Sequence, residues 1–198
     1  MQHSETDSSA LTKLQAVIRG RRSREVHTKR AKDHHPIVCP FYSCTDNVVK
    51  DMIYAGNINQ YDIVYDLGCG DGGILISVAC HTKAKCFGYE IDGVLCSIGR
   101  RKAKENNVDH LVTITEADIL DDLDFSDATV LCLSLSPSCL QFLSDRLKNN
   151  CKSGTRIICY KFPLPEADGW IPTNQRETDD VINTMNHNSK SYIYTYSI

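Results

Sequence analysis

From Tyr61 onward the chain alternates short, β-rich apolar runs with longer stretches whose apolar positions recur at helical spacing. The short runs predict strands at 62–66, 84–90, 111–116, 128–134 and 155–161. Between them the spacing predicts helices over 73–80, 93–106 and 137–149. Parallel neighbours need a crossover connection, and an amphipathic helix supplies one. Regular alternation of this kind therefore predicts a parallel sheet wound with helices, an α/β fold of the Rossmann-like type.

The two ends depart from the alternation. Ahead of the first strand, Thr45 or Asp46 can cap a helix whose apolar positions are Val48, Val49, Met52 and Ile53 and which stops near Gly56. At the far end, 171–183 and 191–198 read as two final strands joined through Asn186-His187-Asn188-Ser189, with alternation at Tyr192, Tyr194 and Tyr196. So short a loop joins antiparallel neighbours only, so the parallel set is expected to end in an antiparallel strand.

The N-terminal stretch has a different character. Residues 1–10 are polar; from Leu11 to about Lys32 the pattern is helical, with Leu11, Leu14 and Ile18 on one face and Arg19, Arg21, Arg22 and Arg24 crowding the rest. His34-His35-Pro36 ends it, because proline disfavours helix in the residue before it. The expected division is a basic, partly disordered tail at 1–35 and one folded domain at 36–198.

Charge sharpens that division. The net charge of -3 divides into +4 for residues 1–35 (eight Lys/Arg, four Asp/Glu) and -7 for the remainder. An acidic body argues against a nucleic-acid groove, which needs clustered Lys and Arg. The ten cysteines fall mostly inside apolar runs, without a C-x-x-C pair or a zinc-finger spacing, and read as small core residues with no metal role. No stretch approaches the ~20 apolar residues of a membrane span, and no apolar core of a secretory signal follows Met1. A soluble, intracellular protein is expected.

The candidate chemistry lies in Asp66-Leu67-Gly68-Cys69-Gly70-Asp71-Gly72-Gly73, between the first strand and its helix. Gly68, Gly70 and Gly73 satisfy the dinucleotide spacing G-x-G-x-x-G; Gly68, Gly70 and Gly72 satisfy the looser G-x-G-x-G of methyl-transfer enzymes. Charge separates the two. A pyrophosphate would be repelled by carboxylates at Asp66 and Asp71, whereas the sulfonium and ammonium of S-adenosylmethionine (SAM) would be attracted. Glu90, ending the second strand before Ile91, is placed to accept from both ribose hydroxyls, a geometry that serves NAD equally well. Asp118, followed by Ile119 after the third strand, is placed to accept from an adenine amino group.

The order Asp66-Leu-Gly-Cys-Gly-Asp-Gly, then Gly88-Tyr-Glu-Ile-Asp92, then Ala117-Asp118 resembles the class I SAM-dependent methyltransferases. The resemblance implies a seven-stranded sheet with its last strand antiparallel. A narrower likeness rests on Pro40-Phe41-Tyr42, Leu135-Ser136-Pro137-Ser138, and Lys161-Phe162-Pro163-Leu164-Pro165 followed by Trp170 and Pro172. These are similar to the small protein-lysine methyltransferases that modify the ATP synthase c subunit and the adenine nucleotide translocase in mitochondria. Those enzymes usually carry a basic residue where Gly73 stands and a proline where Gly93 stands.

The resemblance implies methyl transfer from SAM to a lysine ε-amine on a protein substrate, with the neutral amine aligned about 3 Å from the methyl carbon. Asp66 is the expected essential acid through SAM positioning, and Tyr42, Ser136 and Phe162 are the candidates to line the lysine channel. A mitochondrial location follows from the same resemblance, with the cytoplasm as the alternative. A catalytically silent SAM-fold scaffold is the competing class.

Leu14-Gln15-Ala-Val-Ile-Arg19-Gly20-Arg-Arg-Ser-Arg24 matches the fixed positions of the IQ motif bound by calmodulin-like proteins. A mitochondrial presequence and a plain solvated helix are the other two readings of that segment.

Overall fold

The computed structural model describes residues 39, 41, 43–178 and 190–198. The chain divides into two compact units, Met1–Phe41 and Tyr42–Ile198, and every element named below belongs to the second. The IQ-like segment at 14–24, the basic helix around it and Tyr42 lie outside the described residues.

Helix α1 (Asp46–Ala55) opens on Thr45, whose hydroxyl accepts from the Val48 amide at 3.3 Å. Strands β1 (Ile63–Leu67), β2 (Lys85–Glu90), β3 (Val112–Glu116), β4 (Val130–Leu133) and β5 (Arg156–Tyr160) follow, with α2 (Gly73–Thr82), α3 (Gly93–Glu105) and α4 (Pro137–Asn150) among their connections. Strands β6 (Asn174–Thr178) and β7 (Ser191–Ser197) close the chain. The seven strands form one sheet in the order β3-β2-β1-β4-β5-β7-β6. The reversal of winding direction at β1, flanked by β2 and β4, leaves a crevice at the carboxyl ends of the strands where ligands bind in such sheets.

The first five strands pair in parallel, and β7 pairs antiparallel with both β5 and β6. The expected closing hairpin is present, but its second strand is inserted between β5 and its first strand. The penultimate strand begins at Asn174, three residues later than the sequence pattern indicates.

One face of the sheet buries Val64, Cys86, Cys132, Ile158 and Ile193 together with Val48, Val49 and Met52 of α1 and Leu75, Val78 and Ala79 of α2. Alternation sends Leu131, Ile157 and Tyr196 to the opposite face. There Trp170 stands edge-on to Tyr196 at 5.7 Å, and its indole N–H donates to Ser144 of α4 at 2.8 Å. Gly56, the expected stop of α1, is not left-handed; a Cβ there would meet Ile158 Cδ1 at 2.2 Å, so packing against β5 requires the glycine.

Candidate functional site

The connection from β1 to α2 is a tight turn in which Gly68, Gly70 and Gly72 all have positive φ (81°, 56° and 72°). Side chains rarely adopt that backbone form, so glycine at these positions is a conformational requirement. The amides of Gly68 and Cys69 both donate to the Tyr89 carbonyl at 2.8 and 3.0 Å, tying the turn to the end of β2. Gly72 packs so closely on β3 that a Cβ there would lie 2.7 Å from Ile114 Cδ1, with Gly99 Cα of α3 at 3.6 Å.

Asp66 sits in the middle of this arrangement, in register with Gly88 of β2 and Cys132 of β4. It is 1% exposed, and neither carboxylate oxygen has a hydrogen-bond partner among the described residues. Burial, with the nearby Glu90 carboxylate adding to it, pushes its pKa up to about 8. An uncompensated buried carboxylate is costly, and a cationic or N–H-bearing ligand would relieve the cost. These orphaned oxygens fit the ammonium end of SAM and oppose a pyrophosphate.

Glu90 is held differently. Its Oε2 accepts from the Gly70 amide at 2.9 Å and its Oε1 from the Asp92 amide at 2.8 Å, so both oxygens are oriented by backbone. A carboxylate offers about four acceptor sites, enough to serve ribose hydroxyls as well. Asp92 in turn caps α3, accepting from the Val94 amide at 2.8 Å. Ile91 lies between these two acids, partly exposed. Leu67 and Cys69 are buried, and burial drives the Cys69 thiol far above its ordinary pKa, so it packs and does not react.

The remaining expected positions spread along the same edge. Asp118 Oδ1 accepts from the Leu120 amide at 3.0 Å, closing a local turn, and the Ile119 carbonyl accepts from Arg146 Nη1 at 2.7 Å. Ser136 caps α4, its hydroxyl accepting from the Cys139 amide at 3.4 Å, while Phe162, just past β5, is 42% exposed. Cys159 pairs with Leu133, so the segments carrying Ser136 and Phe162 leave the sheet side by side.

Asp71 has a different role from the one charge alone suggested. Its Oδ2 is 2.5 Å from Lys102 Nζ on α3 and its Oδ1 accepts from the Gly73 amide at 3.3 Å. Its charge is therefore matched within the protein, and the field available to a cationic ligand comes from Asp66 and Glu90.

Three residues given no site role by the sequence contribute to it. Gly88, quoted there only within a motif, is one: a Cβ there would meet Cys69 Sγ and Leu75 Cδ1 at 2.6 Å. Leu135, likewise a motif residue, is another, its Cδ2 lying 2.9 Å from where a Gly68 Cβ would be, and Lys102 is the third. Gly88 stands inside a strand pattern, which by itself signals close backbone approach; nothing in the spacing points to Lys102. Gly93 faces Glu116, whose Oε2 would be 2.5 Å from a Cβ, whereas a Cβ on Gly73 would meet only Asp71 Oδ1 at 3.3 Å.

With this geometry in view, similarity to known proteins is informative. Residues 66–173 match the family described as the ANTKMT methyltransferase domain. A protein-lysine N-methyltransferase of Saccharolobus islandicus (strain REY15A) is 31% identical over 155 residues, which covers 78% of this chain and 92% of that protein. The adenine nucleotide translocase lysine N-methyltransferase of Mus musculus is 30% identical over 107 residues, 54% of this chain and 45% of that enzyme, so the chain spans under half of the mouse protein. Among solved structures, an RNA methyltransferase from Salinibacter ruber in complex with S-adenosyl-L-homocysteine superimposes with a TM-score of 0.69 at 30% identity, covering 79% of this chain and 94% of that one.

Proposed function

Because the chain belongs to the ANTKMT methyltransferase domain family and is a SAM-dependent methyltransferase, we propose that its acceptor is the ε-amine of a lysine in a protein. The observation that carries the cofactor half is the buried, unpartnered carboxylate of Asp66 beside Glu90. Two relatives at 31% and 30% identity, each named for lysine methylation, support the acceptor half. The acidic balance of residues 36–198 further disfavours an RNA acceptor.

SAM supplies an electrophilic methyl group when bound. In this reading Asp66 takes the cationic end of the ligand, Glu90 accepts from the ribose hydroxyls, and Asp118 with Ile119 borders the adenine. Leu67, Gly68, Cys69, Gly70, Asp71, Gly72 and Ile91 form the surrounding wall. Tyr42, Ser136 and Phe162 line the path of the lysine, where apolar walls favour the neutral, nucleophilic amine. The methyltransferase domain comprises 36–198 and the basic tail 1–35.

Two finer assignments belong to the same proposal. A translocase lysine methyltransferase among the relatives supports a mitochondrial location over the cytoplasmic alternative. The residue-level IQ match at 14–24 supports a calmodulin-like partner for the tail; no retention of a 1–35 peptide on calmodulin, with or without Ca²⁺, would remove that partner.

The decisive experiment incubates the purified protein, and an Asp66→Ala control, with methyl-labelled SAM and fractionated cell lysate. The expected result is a labelled protein band, absent with the control, whose hydrolysate contains methyllysine. Label in RNA, lipid or small molecules instead would overturn the acceptor assignment. No transfer to any fraction by a protein that binds SAM would favour the scaffold reading.

A further inference from the structure

The glycine turn has an unusual mechanical problem. Residues 68–72 contain three left-handed glycines, whose backbone loses more freedom on ordering than any other residue type. Such a segment presents a fixed set of donors only if something outside it holds it. Among the described residues two charged side chains bond to it from other elements: Glu90, whose Oε2 accepts from Gly70 N at 2.9 Å, and Lys102, whose Nζ lies 2.5 Å from Asp71 Oδ2. Glu90 has ligand-facing work of its own. Lys102, on the last turn of α3 and 36% exposed in its side chain, touches the turn from behind.

The contact is supported along its length. Gly99 and Gly72 let α3 and the turn approach until a Cβ at Gly99 would lie 3.1 Å from the Asp71 carbonyl oxygen. The Asp71 carboxylate is only 9% exposed, so its charge depends on its partner, and its other oxygen accepts from Gly73 N at the start of α2. A single cation thus joins α3, the turn and the α2 N-terminus. It also offsets the third of three neighbouring buried acids, Asp66, Asp71 and Glu90.

We propose that Lys102 is a positioning residue for SAM: its ammonium, seated on Asp71, holds the glycine turn in the form that presents Asp66 and the turn amides to the methyl donor. The role concerns the cofactor alone and is independent of which acceptor the enzyme methylates.

The test is calorimetric titration of S-adenosyl-L-homocysteine and SAM into wild type, Lys102→Met, Lys102→Arg and the double variant Asp71→Asn/Lys102→Met, each at a temperature where it is fully folded. Lys102→Met is expected to bind about tenfold more weakly, as loss of an ordering contact to a partly buried charge implies, with Lys102→Arg within about threefold of wild type. The double variant leaves no unpaired charge at position 71 and keeps the fold should the single variant fail, and it too is expected to bind about tenfold more weakly. Amide hydrogen exchange should rise at 68–73 in both Met variants while the central strands keep their protection. Wild-type cofactor affinity in the double variant, or failure of Lys102→Arg to restore binding, overturns the proposal.

Discussion

Asp66 and Glu90 are both buried at the same end of the sheet, but only Glu90 has its oxygens met by backbone amides, at 2.9 and 2.8 Å, while both oxygens of Asp66 stand without a partner among the described residues. Two acids a strand apart have therefore been given opposite electrostatic fates. Glu90 is held by the fold, and the Asp66 oxygens are left open among the described residues.

That difference predicts a pH-dependent affinity. With its pKa pushed up to about 8, Asp66 is mostly protonated at pH 7 in the free protein, whereas a cationic ligand binds the ionised form. SAM binding should therefore release close to one proton at pH 7, and affinity should rise about tenfold per pH unit up to pH 8, then level off. Calorimetry in buffers of different ionisation enthalpy measures the proton directly. An affinity flat between pH 6 and pH 8 would refute the assignment of Asp66 to the cationic end.

The same burial predicts a trade of stability against function. Asp66 binds its proton more tightly folded than unfolded, so between its ordinary value of 3.8 and about 8 the free protein loses stability as pH rises. Asp66→Asn keeps the shape of the protonated acid without the ionisation. It should raise the unfolding midpoint at pH 8, with the gain shrinking toward pH 5, while abolishing SAM binding. Thermal unfolding at the two pH values decides it; a lowered midpoint at pH 8 counts against the argument.

Much of this was legible in the chain because the chemistry is concentrated. Asp66, the glycines and Glu90 lie at the ends of two consecutive strands, and strand ends are where a period-two pattern stops. The predicted β1 to β5 fall within about two residues of those observed, as boundary fraying leads one to expect. Less visible was anything set by a partner distant in sequence. A short hairpin reads the same whichever of its strands meets β5, so the insertion of β7 beside β5 is decided by packing. The pairing of Asp71 is likewise hidden, because its cation comes from 31 positions away, on another helix. The stop of α1 near Gly56 is legible in the chain, whereas the close approach of Ile158 that requires the glycine is not.

Glycines of the turn region should divide sharply on substitution. A Cβ at Gly88 would lie 2.6 Å from both Cys69 Sγ and Leu75 Cδ1, two buried groups with no room to move apart. Gly88→Ala should destabilise by about 1–3 kcal/mol, the usual cost of overpacking, and weaken SAM binding by displacing Cys69. Gly73, by contrast, begins α2 without positive φ and would meet only Asp71 Oδ1 at 3.3 Å. Gly73→Ala should hold or raise stability, by up to about 1 kcal/mol, because alanine is the better helix former. Chemical denaturation of the pair checks the contrast, and equal losses would refute it.

The opposite end of the sheet supplies a control in which stability moves and the cofactor does not. There Arg156, at the start of β5, pairs through Nη2 with Asp62 Oδ1 and donates through Nη1 to the carbonyls of Gly56 and Asn57 at 2.6 and 2.8 Å. Asp62 is 5% exposed and also accepts from the Thr129 hydroxyl at 2.7 Å, so the pair knits the starts of β1 and β5 to the end of α1. Removing the guanidinium leaves the buried Asp62 carboxylate with neutral donors alone, the Asn59 backbone and side-chain amides and the Thr129 hydroxyl. Arg156→Met should cost about 3 kcal/mol of stability, the low end for breaking a buried ion pair. Cofactor affinity should stay within about twofold, because these residues sit a full strand length from the glycine turn and share no partner with it. Denaturant unfolding and calorimetric titration on the same preparation separate the two readouts. A tenfold loss of SAM affinity in folded Arg156→Met would show that the two ends of the sheet are coupled, and the localisation of binding to the carboxyl edge would then fail.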